Sequence, residues 1–204
     1  MTARRGPSLP VRRVTELDVD GIRFTFDDSW SAVKWDDTDT YSLHIGRLQG
    51  SGHGTKAVDI IALCDGIPYL FEVKDFRGNA IAIANLQRDL PLEIGFKVRD
   101  TAAGLVGAVA RGVTGPPAIW LEAVACNHNV VRVVAWIAED AARPGEPEHK
   151  RKARLSQRAA SIAQRLAWLT ERRRILVEDP LREMSVRGVT AQSLPRAGPA
   201  RSRS

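Results

Sequence analysis

Asp59, Glu72 and Lys74 are the side chains whose types and spacing could do chemistry in this chain. They lie in the segment 58–74, two apolar runs separated by Asp65-Gly66. Asp-Gly between strand-like runs is a strong hairpin signal, because a type I′ turn needs positive φ at both central residues. With Asp65 and Gly66 as the loop, Cys64 faces Ile67, Ile61 faces Leu70 and Asp59 faces Glu72. Counted outward from the turn, Asp59 and Glu72 form a non-hydrogen-bonded pair, with Cα atoms roughly 4.5 Å apart. Lys74 lies two residues beyond Glu72 and so projects from the same face.

Two carboxylates set opposite each other repel. The strands around them carry Val58, Ile60 and Ala62 on one face and Ile61 and Leu63 on the other, the pattern of a strand buried on both sides. A buried, unpaired charge is costly. A divalent cation between Asp59 and Glu72 would reverse the sign of the interaction, since hard cations take oxygen ligands. Lys74 would then hold a phosphate or a water beside it. The plain alternative makes Glu72 and Lys74 a solvated strand edge and Asp59 a turn cap. A Glu-x-Lys triplet alone is common; the Asp in register opposite the Glu favours a site.

Asp59 followed by Glu72-Val73-Lys74 after a short hairpin resembles the restriction-endonuclease-like, or PD-(D/E)XK, nuclease superfamily. The motif spans about residues 56–76, and the order of elements extends the resemblance more loosely to residue 138. It implies that Asp59 and Glu72 bind Mg²⁺ (or Mn²⁺) and that Lys74 helps orient or activate the attacking water. Val58 stands where the motif's Pro would be, a frequent variation. Many members add an acidic residue on a helix before the first strand. Here Glu16 is the only Glu upstream, and Asp27, Asp28, Asp36, Asp37 and Asp39 leave that further ligand open.

Charge is distributed unevenly. The net charge of +6 divides into +4 over residues 1–13, −7 over 14–142, +7 over 143–174, −2 over 175–186 and +4 over 187–204. An acidic body containing the proposed metal ligands is framed by basic extensions, which suits an enzyme acting on a polyphosphate. At 204 residues, 44% apolar and 26% charged, the chain can bury a sizeable core. No apolar run is long enough for a membrane span, and the start reads as no signal peptide. Cys64 and Cys126 both fall in apolar runs and read as free thiols in a reducing cytoplasm. Cys126-x-His128 is too short a spacing to suggest zinc.

The elements that must position these residues read as a mixed α/β fold. Residues 23–26 and 30–35 look like short strands, 36–40 like a turn, and 41–48 like either a short helix or a strand. The glycine-rich loop 50–54, with His53, reads mainly as a linker; without a following Gly-Lys-Ser/Thr it is no nucleotide P-loop. After Lys74 come an ambiguous helix at 80–90 and a clearer one at 100–111, with Asp100 as N-cap and Gly112 at its end. Residues 118–126 and 130–138, joined by Asn127-His128-Asn129, read as a second hairpin.

From Lys150 to Trp168, Leu155, Ala159, Ile162, Leu166 and Leu169 define one buried stripe. Arg151, Arg154, Arg158 and Arg165 fall largely off it. A solvated face is the default for a charged helix. Only Glu171 balances the run from Lys150 to Arg174, though, and that one-signed charge favours contact with a nucleic-acid backbone. Trp168 reads as packed, with base stacking as the alternative.

These readings converge on an α/β, restriction-endonuclease-like core with a mixed β-sheet flanked by helices and a basic C-terminal helix. Its organisation would be a flexible basic arm at 1–13, the core at 14–142, the basic helix and a final strand packed on it at 143–186, and a disordered basic tail at 187–204. The expected function is metal-dependent hydrolysis of phosphodiester bonds in the cytoplasm, with nucleic acid as partner, DNA favoured over RNA, and no membrane. A homodimer fits the cutting of both strands of a duplex. Two alternatives stand beside it. One is a catalytically inactive nucleic-acid-binding module of the same fold; the other is an α/β enzyme unrelated to nucleic acid, with tails that serve solubility.

Overall fold

The computed structural model describes residues 14–42, 55–77, 80–126, 131–138, 147–179 and 185–195. The N-terminal arm, the glycine-rich loop with His53, most of the 41–48 segment, the Asn127–Asn129 turn and the tail beyond residue 195 lie outside them. The described chain is mixed α/β, with two sheets and three helices. In order, the elements are β1 Thr15–Val19, β2 Ile22–Phe26, β3 Trp30–Lys34, β4 Ile60–Cys64, β5 Ile67–Asp75, α1 Ala80–Ala110, α2 Pro116–Cys126, β6 Arg132–Ala138, α3 Glu148–Leu166, a 3₁₀ turn Arg172–Arg174, β7 Ile175–Glu178 and β8 Val189–Ser193. No described helix is long and apolar enough to cross a membrane.

The larger sheet has the order β3-β4-β5-β6-β7, antiparallel from β3 to β5 and parallel from β5 to β7. A parallel step needs a long crossover, and α1 and α2 supply the one between β5 and β6, α3 the one between β6 and β7. This is why 118–126 is a helix and not the expected strand. An antiparallel strand at 118–126 would need an edge of β6, and both edges are taken, one by β5 and the other by β7. Pro116 and Pro117 sit in the first turn of α2, where a missing N–H costs nothing. Trp120 then buries its ring and donates from Nε1 to the Tyr69 carbonyl at 3.1 Å.

Period-two alternation along β5 divides the core. Tyr69, Phe71 and Val73 meet the small sheet β1-β2-β8, where Phe24, Phe71 and Trp136 stack with centroids 4.5 and 5.1 Å apart. Leu70 faces the other way, into a layer with Leu90, Ile94, Val98 and Leu105 of α1 and Ile162 and Leu166 of α3. The molecule is therefore layered as small sheet, large sheet and helices.

Two further expectations are corrected. The segment 80–111 is one helix, not two, and passes through Pro91. Asp100 does not cap a helix start; its Oδ2 accepts from Lys56 N at 3.1 Å, and Thr101 Oγ1 accepts from the buried Val58 N at 2.9 Å. The two mid-helix side chains thus tie α1 to the segment that leads into Asp59. The boundary drawn at 187 also shifts, because residues 189–193 form β8, antiparallel to β2 from Ile22↔Ser193 to Phe26↔Val189. An Arg- and Ser-rich composition hid a strand that closes the small sheet.

Candidate active site

The Asp65-Gly66 turn has φ of 51° and 73°, as a type I′ loop requires, and sets the register Cys64↔Ile67 through Ile60↔Phe71. Asp59 lies one residue past the ladder's end, beside Glu72. Its backbone is pinned on both sides: Asp59 N donates to Phe71 O at 3.1 Å, and Trp35 N donates to Asp59 O at 2.8 Å. Its carboxylate accepts from Val73 N at Oδ2, 2.6 Å away. That leaves Oδ1 to face the helix layer, where Glu72 and Lys74 also point.

Glu72 is 1% exposed and Asp59 7%, so both carboxylates are buried, while the paired register itself ends one step before them at Ile60↔Phe71. The structure brings in two partners from α1. Lys97 Nζ lies 2.7 Å from Glu72 Oε1 and 3.5 Å from Asp59 Oδ1. Lys74 Nζ lies 3.1 Å from Glu72 Oε1 and 3.2 Å from Glu93 Oε1. Glu93, Lys74, Glu72, Lys97 and Asp59 thus form a continuous chain of alternating charge that runs inward from the more exposed Glu93. Glu72 Oε2 is buried and has no hydrogen-bond partner among the described residues.

Electrostatics follow the burial. Burial and then the charge of Asp59 push the Glu72 carboxyl up from 4.5 to about 8, against the pull of Lys97 and Lys74. Burial drives the Lys74 ammonium down, but Glu72 and Glu93 outweigh it and the net shift is upward, so Lys74 stays protonated. Two more acidic residues border the site. Asp20, in the β1–β2 turn, and Asp36, just past β3, are both raised by burial and then by the Asp59 charge. Among the described residues, no three His, Cys, Asp or Glu side chains converge closely enough to hold a metal.

Lys97 and Glu93 were missed from sequence, yet a signal existed. Leu90, Ile94, Val98 and Leu105 mark the buried stripe of α1, and Lys97 falls on that stripe with Glu93 four residues before it. A charged pair at i,i+4 spacing on an otherwise apolar face needs partners from elsewhere. Asp20 was also within reach, because Asp20-Gly21 between Val19 and Ile22 repeats the hairpin signal used for β4 and β5, with φ of 48° and 73°.

The four arginines proposed for nucleic-acid contact do not share one environment. Arg165 is exposed, Arg151 and Arg154 are half-buried, and Arg151 pairs with Glu148 at 3.2 Å. Arg158 is 8% exposed and joins the stripe, lining a cavity of about 150 Å³ with Arg154, Leu90 and Pro91. Its position, three after Leu155 and four before Ile162, places it on the buried face. Trp168, expected to pack, is 57% exposed. Cys64 is a half-buried free thiol.

No family model matches the chain, and no solved structure matches it. Among curated proteins it is similar to a cysteine–tRNA ligase of Neisseria meningitidis serogroup A / serotype 4A (strain DSM 15465 / Z2491), 28% identical over 119 residues. The matching part covers 47% of this chain and 17% of that protein, far less than two thirds of the ligase's length.

Proposed function

We propose that the chain is a Mg²⁺-dependent nuclease of the restriction-endonuclease-like, PD-(D/E)XK type, hydrolysing phosphodiester bonds of nucleic acid, with DNA favoured as substrate. The observation that carries this reading is the buried Glu72 beside Asp59, with Lys97 between the two carboxylates and Lys74 between Glu72 and Glu93. Nothing in the packing of an α/β core calls for five charged side chains at one point, and such a cluster persists against its desolvation cost where it has work to do.

The residues fit a magnesium ion. Mg²⁺ is commonly held by one or two carboxylates together with substrate phosphate and water, not by an all-protein cage. Asp59 and Glu72 supply two such carboxylates, and Glu72 Oε2 has no competing partner among the described residues. When bound, the ion would neutralise charge on the scissile phosphate and lower the pKa of a water. The remaining work falls to the chain. Lys74, held protonated by Glu72 and Glu93, acts as a fixed positive charge that orients phosphate or water and not as a general base. Lys97 would yield its place between the carboxylates to the stronger cation. Arg165 and, more weakly, Arg151 and Arg154 of α3 would grip the backbone, and a homodimer would provide two sites for a duplex.

The test is cleavage of labelled DNA and RNA in Mg²⁺ or Mn²⁺ by the native protein and by Glu72→Gln. Cleavage abolished by chelator and by the variant, with nucleic-acid binding retained, supports the proposal. One observation favours the non-catalytic binding module instead: Lys97 already bridges both carboxylates, where a metal would sit. Tight, salt-sensitive binding without cleavage of any substrate would select that reading. The partial similarity to a tRNA ligase makes tRNA a substrate to include.

A further inference from the structure

A second charged cluster lies at the opposite end of the same sheet. β6 starts at Arg132 and β7 follows Arg174, and the register Val133↔Ile175 sets Arg132 beside Arg174 on neighbouring parallel strands. Arg173 adjoins them, and the three guanidinium groups line a cavity of about 290 Å³ with Leu176. Like charges set side by side on adjacent strands repel. Tyr69 relieves part of this by stacking under Arg132, ring to guanidinium 5.4 Å, and accepting from its Nη1 at 2.8 Å. Glu171 pairs with Arg173. Arg174 has no such relief: its Nε is buried and has no hydrogen-bond partner among the described residues.

We infer that Arg132, Arg173 and Arg174 form an oxyanion site for a phosphate group, separate from the Asp59–Glu72 site. Guanidinium groups are suited to phosphate because their planar donors match its oxygens in pairs. The separation follows from strand geometry. Arg132 pairs with Tyr69 and Ile137 with Lys74, so the arginines sit five residues, roughly 17 Å, from Lys74 along the strands. Arg132 shares its parity with Val134 and Trp136, which face the small sheet, whereas Glu72 and Lys74 face the helices. A nucleic-acid strand bound at Asp59 and Glu72 would not pass directly over the arginines. The cavity also borders a larger one of about 610 Å³ that shares Arg132 and Leu176 and is walled by Trp30 and Tyr69 and, away from the arginines, by the carboxylates Asp27, Asp28 and Asp65, which suit the uncharged part of an ester and not a second phosphate. A phosphate on the arginines would leave space there for the rest of a phosphate ester. The same chemistry belongs to a free mononucleotide and to a polynucleotide phosphate.

The inference does not depend on the nuclease reading and can be tested with chelator present, where no Mg²⁺-dependent reaction runs. Binding of inorganic phosphate, AMP and a 12-nucleotide DNA would be measured by calorimetry on the full chain at constant ionic strength in chloride. Saturable phosphate or AMP binding, weakened at least tenfold by Arg174→Gln and by the exposed Arg173→Gln but unchanged in Arg111→Gln, exposed at the end of α1, is the expected result. Arg173→Gln keeps the test decisive if Arg174→Gln fails to fold. Should only the 12-nucleotide DNA show this dependence on Arg173 and Arg174, the phosphate comes from a polynucleotide; should AMP show it, the source is a free nucleotide. No binding of any of the three probes, or binding indifferent to both substitutions, would overturn the site.

Discussion

Replacing Glu72 by Gln should remove the proposed nuclease activity and yet, in chelator, stabilise the protein at alkaline pH. The carboxyl rises from 4.5 to about 8 on folding, chiefly by burial. Between those values the folded protein holds a proton that the unfolded chain has released. Unfolding free energy therefore falls as pH rises through the window, and the full penalty is present above about pH 8. Each tenfold change in proton affinity is worth about 1.4 kcal/mol, so the limit is on the order of 5 kcal/mol. Water entry on local relaxation would reduce it to a few. Gln keeps the shape and stays neutral throughout. Denaturant midpoints of the two proteins, measured in chelator from pH 5 to 9, should coincide near pH 5 and diverge upward, with the variant more stable at pH 8.5. Contributions from Asp20 and Asp36, raised in the same direction, cancel in the difference. Adding Mg²⁺ at pH 8.5 should restore wild-type stability and leave the variant unmoved, since ligands must be deprotonated to bind. Parallel pH profiles would refute the reasoning. They would mean that Lys97, at 2.7 Å, and Lys74, at 3.1 Å, fully offset the burial of Glu72.

Other substitutions test neighbouring parts of the argument. Lys97→Met would leave Asp59 and Glu72 without their bridge and should cost about 3 kcal/mol in chelator. Its midpoint should recover further with Mg²⁺ than the native protein's, and an equal response in both would show that the ammonium does not occupy the cation's place. Gly66→Ala meets open space, so only its φ of 73° opposes it, at about 1 kcal/mol. Gly188→Ala should cost roughly 1–3 kcal/mol more, because its Cβ would fall 2.5 Å from Asp27 Oδ2; equal midpoints for the two variants would contradict this. Arg165→Ala should hold stability within about 0.5 kcal/mol and lower the salt slope of DNA binding by about one. Arg158→Ala should do the reverse, reducing stability through lost packing with little change in that slope.

What could be read from the sequence was the part decided locally. Asp59 and Glu72 are thirteen residues apart and joined by one turn whose chemistry is written in Asp65-Gly66, so their opposition followed from counting. Lys97 reaches the same point from 38 residues beyond Asp59, and only the crossover that makes β6 parallel to β5 lays α1 over the sheet. Asp20 and Asp36 are nearby, but what completes the electrostatics is a pair of ammonium groups, one of them from a downstream helix. The failure at 118–126 has the same origin: Ile119, Trp120, Leu121 and Val124 suit a strand or a helix equally, and the choice is made by β5 and β7 taking both edges of β6. Arg158 differs, since its place on the stripe was available from Leu155 and Ile162, and only the habit of assigning arginine to the surface concealed it.

The alternating order of charges bears on how a site proposed to take a divalent ion would persist without one. Two buried carboxylates alone would need a cation merely to fold, and the protein would be stable only when loaded. With Lys97 between them and Lys74 shared with Glu93, two ammonium groups offset three carboxylates, and on the proposed reading a divalent ion would exchange one positive charge for two. The exchange gains in charge what it loses in displacing an ammonium, which favours modest intrinsic affinity in the absence of substrate. A phosphate then adds the ligand that the protein withholds. Metal affinity measured with a non-cleavable phosphodiester present should thus exceed that of the free protein, whereas equal affinities would place the whole ligand set within the chain.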